Sequence, residues 1–200
     1  QTDAIAIGRQ ALATGENSMY IGSLPSGIAG SGATANNAIA LGIDDTASGV
    51  GSVALGNFTV ASGTNSTALG SSTASALNAV AVGRGNNASA ADATAIGFSS
   101  QAQAASTLAI GDTNTVAAAA GTGSIAGGHN SQVNGGTGAV ALGEGQVANG
   151  NGAVAIGDPN AANGNGAVAV GSNNTANGNG AIAQGNGNSA DAGCLARAPG

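Results

Sequence analysis

Hydrophobic positions along this 200-residue chain come in short bursts, each closed by a glycine. Examples are AIAIG at 4–8, AIALG at 38–42, SVALG at 52–56, STALG at 66–70, AVAVG at 79–83 and AVAIG at 153–157. Neighbouring residues of a strand point to opposite faces. Val154 and Ile156 therefore share one face, and Ala155 takes the other. The bursts are short, β-branched and fenced by Gly and Asn, which predicts strands and argues against helices.

The bursts recur in register. Their closing glycines are Gly8, Gly22, Gly42, Gly56, Gly70, Gly83, Gly97, Gly111, Gly128, Gly143, Gly157, Gly171 and Gly185, and eight of the twelve steps between them are 14 residues. A second, weaker signal lies five residues after each anchor, as at Ala47, Ala61, Ala88, Val116, Ala148, Ala162 and Ala176, often with a glycine two further on. Each unit thus reads as strand, glycine turn, short second strand and Asn/Gly turn, with glycine supplying positive φ at the corners. Two strands and two turns in 14 residues form one coil of a flattened parallel β-solenoid. A single coil buries too little to hold its own backbone in place, so stacking must supply the rest.

Both faces of the first strand are apolar, and a narrow roll interior can bury only one. We expect Val154, Ile156 and their equivalents to face inward. The alanine ladder, Ala54, Ala68, Ala81, Ala95, Ala109, Ala141, Ala155, Ala169 and Ala183, is then the close-contact face between chains. Small side chains permit such an approach.

Composition agrees with a thin fold. Aromatic residues make up 2% of the chain and charged residues 6%, so few side chains could fill a thick core at native packing density. The 37 glycines invite a reading as disorder, but moderate hydrophobicity and a net charge of −6 argue against it. The only fixed cations are Arg9, Arg84 and Arg197, too few to neutralise a nucleic-acid backbone. No run is long enough to predict a membrane span, so no direct membrane insertion by this segment is expected. No signal peptide is visible at the N-terminus. We divide the chain into repeats over 1–190 and an irregular tail over 191–200 that is foreign to the repeat and holds the one cysteine, Cys194.

The phrases GSVALGNFTVASGTNSTALG (51–70), NAVAVGRGNNASA (78–90) and GSIAGGHNSQVNGG (123–136) resemble the head repeat of the YadA-like trimeric autotransporter adhesins. The resemblance spans roughly residues 3–190. It implies an all-β, left-handed parallel β-roll of about thirteen 14-residue coils, assembled as a homotrimer. It further implies a bacterial cell-surface location, outer-membrane-anchored through stalk and anchor regions not seen in these residues. Attachment to host extracellular matrix proteins or cell-surface receptors follows from the same resemblance, as do autoagglutination and biofilm formation. No residue set shared by such heads carries binding, so only structural roles transfer.

Apparent chemical motifs dissolve in this register. GRGNNA (83–88), GEGQVA (143–148) and GNGNSA (185–190) match a dinucleotide fingerprint, but the fingerprint needs a following helix. Three matches at one repeat position indicate turns, and no cofactor is expected. His129 is the only histidine, so histidine-based metal sites and hydrolase triads lack material. The scattered carboxylates read as solvated corners. Asp44 and Asp45 carry the one cation reading, carboxylates shared across a trimer axis, weighed below a solvated turn. Four Asn-x-Ser/Thr sequons, at Asn57, Asn65, Asn87 and Asn173, are expected by chance in so Asn-rich a chain.

Departures from the period predict outward loops. The 20-residue step places Leu24, Pro25, Ser26 and Ile28 in one, and the 17-residue step places Ala118, Ala119 and Thr122 in another. The function expected is a non-enzymatic adhesin head. The alternatives are an ice-binding β-solenoid, which would want a regular Thr ladder, and a phage or appendage fibre segment. An enzyme lacks any assembled acid/base pair or nucleophile.

Overall fold

A computed structural model describes residues 3–25 and 31–197, the last without the Arg197 side chain. The chain is an all-β parallel solenoid of about thirteen turns, and no helix occurs among the described residues. It divides into two units, residues 1–99 and 100–200.

In the first unit the coil around Gly56 shows the plan. Its anchor strand Val53–Asn57 lies between Ile39–Ile43 and Thr67–Ala74, with Val53 opposite Ile39 and Thr67, and Gly56 opposite Gly42 and Gly70. The short second strand Val60–Ala61 pairs with Thr46–Ala47 on one side and with Thr73 and Ala74 on the other. Phe58 at the first corner and Asn65 at the second both adopt left-handed φ, 54° and 56°. The same two positions are left-handed in coil after coil, at Asp44 and Ser99 for the first corner and at Asn37, Asn78 and Asp92 for the second.

The second unit repeats the plan. Val154–Ala162 and Val168–Ala176 run in register over Val154↔Val168, Ala155↔Ala169 and Gly157↔Gly171 and on through both strands to Ala162↔Ala176. Asn is displaced by Gly at the second corner here, at Gly152, Gly166 and Gly180. Leu195–Arg197 adds a further parallel strand beside Ile182–Gln184, so the tail expected to be irregular continues the ladder at least to Arg197.

The anchor glycine is compulsory for a reason beyond φ. A Cβ on Gly157, whose φ is 125°, would lie 1.9 Å from the carbonyl oxygen of Gly171 in the next coil. On Gly56 it would lie 2.0 Å from that of Gly70. Each anchor thus rests directly on the backbone of the following one, and only a residue without a side chain permits that approach.

The roll interior reverses the expected facing. Ala54, Ala68, Ala81, Ala95, Ala109, Ala141, Ala155, Ala169 and Ala183 have no accessible surface within the single chain. The second-strand alanines Ala61, Ala88, Ala162 and Ala176 are equally buried and share the interior with them. Two strands only two tight corners apart leave a narrow lumen, filled from the anchor strand by Ala and from the second strand by Ala or, at Val116 and Val133, by Val. The aliphatic rows therefore point outward: Val53 and Val154 are half-buried, and Leu55 and Ile156 are 43% and 39% exposed. The alanine ladder cannot be the surface where chains meet. Tyr20 is an exception within the anchor-strand ladder, taking the position of Ala40 in the coil with the six-residue insertion, fully buried.

Candidate interaction surfaces

With the alanines inside, the outward face of the anchor strands becomes the main apolar surface of each unit. In the first it carries Ile5, Ile7 and Ile21 and continues through Ile39, Leu41, Val53 and Leu55 in consecutive rungs. In the second, Val140, Val154 and Val168 stack in one row, and Leu142, Ile156 and Val170 in the next. Gly127 interrupts that second row, and its neighbours close over it. A Cβ there would meet Leu142 Cδ2 at 2.8 Å and Ile110 Cγ2 at 3.2 Å.

The predicted loop residues divide. Pro25, Ala118, Ala119 and Thr122 are exposed in the single chain. Leu24 is not: it is 6% exposed, and its N–H donates to the Arg9 carbonyl at 3.1 Å, which ties the approach to the insertion onto the preceding coil. Ser26 and Ile28 lie outside the described residues. The longer step at 117–123 leaves its ends anchored, with Ala120 N–H donating to Ala117 O and Gly121 N–H to Gly136 O, both at 2.9 Å.

The three apparent dinucleotide fingerprints are first corners. Gly83 and Gly85, Gly143 and Gly145, and Gly185 and Gly187 have φ of 122° and 72°, 132° and 61°, and 116° and 70°. A second strand follows the latter two, Val147–Asn149 and Ser189–Ala190.

Asp44 and Asp45 are not a solvated turn. Both are buried, and the Asp45 carboxylate accepts the Gly56 and Thr59 N–H groups, each at 2.8 Å. Burial pushes the Asp45 carboxyl up, and the two N–H groups pull it back. Tyr20 stands nearby, its hydroxyl donating toward the carbonyls of Ser23 at 3.0 Å and Gly42 at 3.2 Å. Burial first, and the Asp45 and Asp44 charges second, push this phenol up to about 12. No group of three or more His, Cys, Asp or Glu side chains among the described residues is arranged to hold a metal ion.

His129 occupies an exposed first corner, in register with Asp112 on one side and Glu144 on the other. Its Nδ1 lies 2.8 Å from both Glu144 carboxylate oxygens, and that hydrogen bond pushes the imidazole up from its ordinary value.

A buried polar ladder three residues after the anchors escaped the sequence reading. Asn160 Nδ2 donates to Ile156 O at 3.0 Å and to Gly171 O at 2.8 Å, and Asn174 Nδ2 does the same to Val170 O and Gly185 O at 3.0 and 2.7 Å. The amide oxygens accept the next coil's backbone, Asn174 N–H on Asn160 and Asn188 N–H on Asn174, each at 3.0 Å. Asn86 and Asn114 make the same carbonyl contacts. Where the position is Ser or Thr, the hydroxyl reaches the next coil's anchor carbonyl: Thr59 to Gly70, Ser131 to Gly143, and, two residues after the anchor in the 13-residue coil, Ser72 to Gly83. The signal was legible as a recurrent Asn, Ser or Thr at a fixed place after the glycine.

Sequence comparison agrees with this geometry. The YadA head domain repeat (2 copies) matches residues 1–23, 47–73, 74–100, 88–114, 135–158 and 162–188, more than half of the chain. The chain belongs to the YadA head domain repeat family. No curated protein matches it. YadA heads are parts of surface-exposed autotransporter adhesins, in keeping with a structure made of repeated scaffold. In this YadA head the stretches outside the matched segments include most of the 20-residue and 17-residue steps, the two largest departures from 14 residues.

Proposed function

We propose that this YadA head acts as a homotrimer at the bacterial cell surface, held to the outer membrane through stalk and anchor regions outside these residues. Its role is non-enzymatic attachment to host extracellular matrix proteins or cell-surface receptors, with autoagglutination and biofilm formation from the same surface. The outward aliphatic face carries the reading. Consecutive rungs of Val, Ile and Leu stand half-buried or exposed in a single chain, and a face that apolar and continuous favours a second copy over water.

Light scattering on the purified chain at micromolar concentration tests the assembly, with a trimer mass expected. Leu55→Glu combined with Ile156→Glu should give a monomer that keeps its β-sheet circular dichroism. A wild-type monomer at that concentration overturns the proposal. Solid-phase binding to collagen, fibronectin, laminin and cultured cells then tests the adhesive role. Multivalent contact with the repeated surface is expected to dominate, so deleting residues 26–30 should leave most binding intact.

A further inference from the structure

The one 13-residue step cuts a notch into the first corner of the first unit. Thr67–Ala74 runs as one continuous strand one residue shorter than Val80–Ala88 after it, and the register slips between Ser71 and Thr73 against Arg84 and Asn87. The coil before it places Phe58 at this corner with left-handed φ, and the coil after it places Gly85 there in the same way. The Gly70 coil lacks that residue and recedes between them.

The result is an open groove of 510 Å³ lined by Gly56, Asn57, Gly70, Ser71, Gly83 and Arg84. Its floor is three stacked anchor glycines. The carbonyls of Gly70 and Gly83 already accept the Thr59 and Ser72 hydroxyls, so the floor offers flat C–H surface with few free acceptors. Ser71 Oγ is turned onto the Asn57 carbonyl at 2.8 Å. On one wall Arg84 is exposed, its guanidinium carbon 5.8 Å from the centre of the Phe98 ring on the next rung. No carboxylate among the described residues pairs with Arg84.

Both phenylalanines of the chain stand at this corner, Phe58 56% and Phe98 45% exposed. Exposed aromatics beside an arginine are the usual make-up of a binding hot spot, and this chain has few of either elsewhere. A flat apolar floor, aromatic rings at the margin and one guanidinium together ask for a flat apolar ring carrying one negative charge. The guanidinium fork matches a carboxylate in particular. We propose that this notch is a binding site for small planar aromatic monocarboxylates. Their ring lies on the Gly56–Gly70–Gly83 floor and their carboxylate meets Arg84.

Ligand-observed saturation-transfer NMR on the full 200-residue chain tests this with three probes: 1-naphthoate, 1-naphthalenemethanol and D-glucuronate. Saturable binding of 1-naphthoate is expected, with the alcohol about fivefold weaker because it lacks the charge, and no saturable binding of glucuronate. Arg84→Gln should weaken 1-naphthoate about fivefold and leave the alcohol unchanged, whereas Phe98→Ala weakens both. Inserting one glycine between Ser71 and Ser72 restores the 14-residue coil and should abolish binding, while circular dichroism and the thermal midpoint stay near wild type. Absence of saturable binding, equal affinity in Arg84→Gln, survival of binding in the insertion variant, or glucuronate matching 1-naphthoate would each overturn the proposal. A change of oligomeric mass in Arg84→Gln without naphthoate binding would overturn it too, by assigning the notch to a neighbouring chain. None of these readouts depends on host-ligand binding.

Discussion

Truncating Asn174 to alanine isolates the contribution of the buried polar ladder. The residue is almost fully buried, and its side chain satisfies three backbone groups that have few alternatives: the carbonyls of Val170 and Gly185 and the N–H of Asn188. Each buried group left without a partner costs about 1–3 kcal/mol. The two carbonyls keep a second lone pair, which places them at the lower end of that range. Asn174→Ala should therefore lose about 3–5 kcal/mol. Asn174→Asp is the sharper test, because a carboxylate still accepts from Asn188 but can donate to neither carbonyl. It should be as damaging as alanine at pH 7 and partly restored near pH 3, where the protonated acid regains one donor. Urea unfolding followed by circular dichroism reads the global effect. Amide exchange at Asn188 reads the local one, which matters in a repeat fold whose coils need not unfold together. A loss below about 1 kcal/mol in both variants, with Asn188 exchange unchanged, would refute the assignment of the ladder as structural cement.

Three further outcomes follow from the same geometry. Gly157→Ala should be among the most damaging single changes in the chain, at least about 3 kcal/mol by thermal unfolding, since its Cβ would overlap the Gly171 carbonyl and its φ would be strained. Ser66→Ala should stabilise by about 1 kcal/mol in urea, because the buried Ser66 hydroxyl has no hydrogen-bond partner and alanine occupies the equivalent place in the next coil, at Ala79. Tyr20 should titrate near pH 12 by its phenolate absorbance rather than near 10. Its folded value is raised, so the stability it contributes is complete below pH 10 and is lost as pH rises to about 12, a loss that Tyr20→Phe, which has no phenol to titrate, should not show.

Much of the fold was legible because a solenoid writes its register into the chain. The anchor glycines that stack as Gly42, Gly56, Gly70 and Gly83 are the residues whose spacing revealed the period, and the bursts before them are the observed strands. The second corner was readable too, since Asn, Asp and Gly accept left-handed φ there, whereas the first also takes Phe58 and Thr113. The candidate sites were read less well. Leu24 was placed in an exposed loop because an insertion begins beside it. Leu24 is instead buried, and its N–H is bonded to the Arg9 carbonyl, a contact across coils that no local pattern announces. The notch at Ser71 passed unremarked because a step one residue short looks like drift in one dimension. Only in three dimensions does it set Arg84 and Phe98 beside an empty corner.

The facing of the anchor strand marks the boundary most clearly. Sequence by itself determined that Ala155 lies opposite Val154 and Ile156, because alternation along a strand is a property of the backbone. It could not determine which side is inside, because both are apolar. Tertiary structure decided that. The two strands of a coil are joined by corners too short to hold them far apart, so the anchor strand turns its small Ala155 into the narrow space between them and Val154 and Ile156 toward the outside.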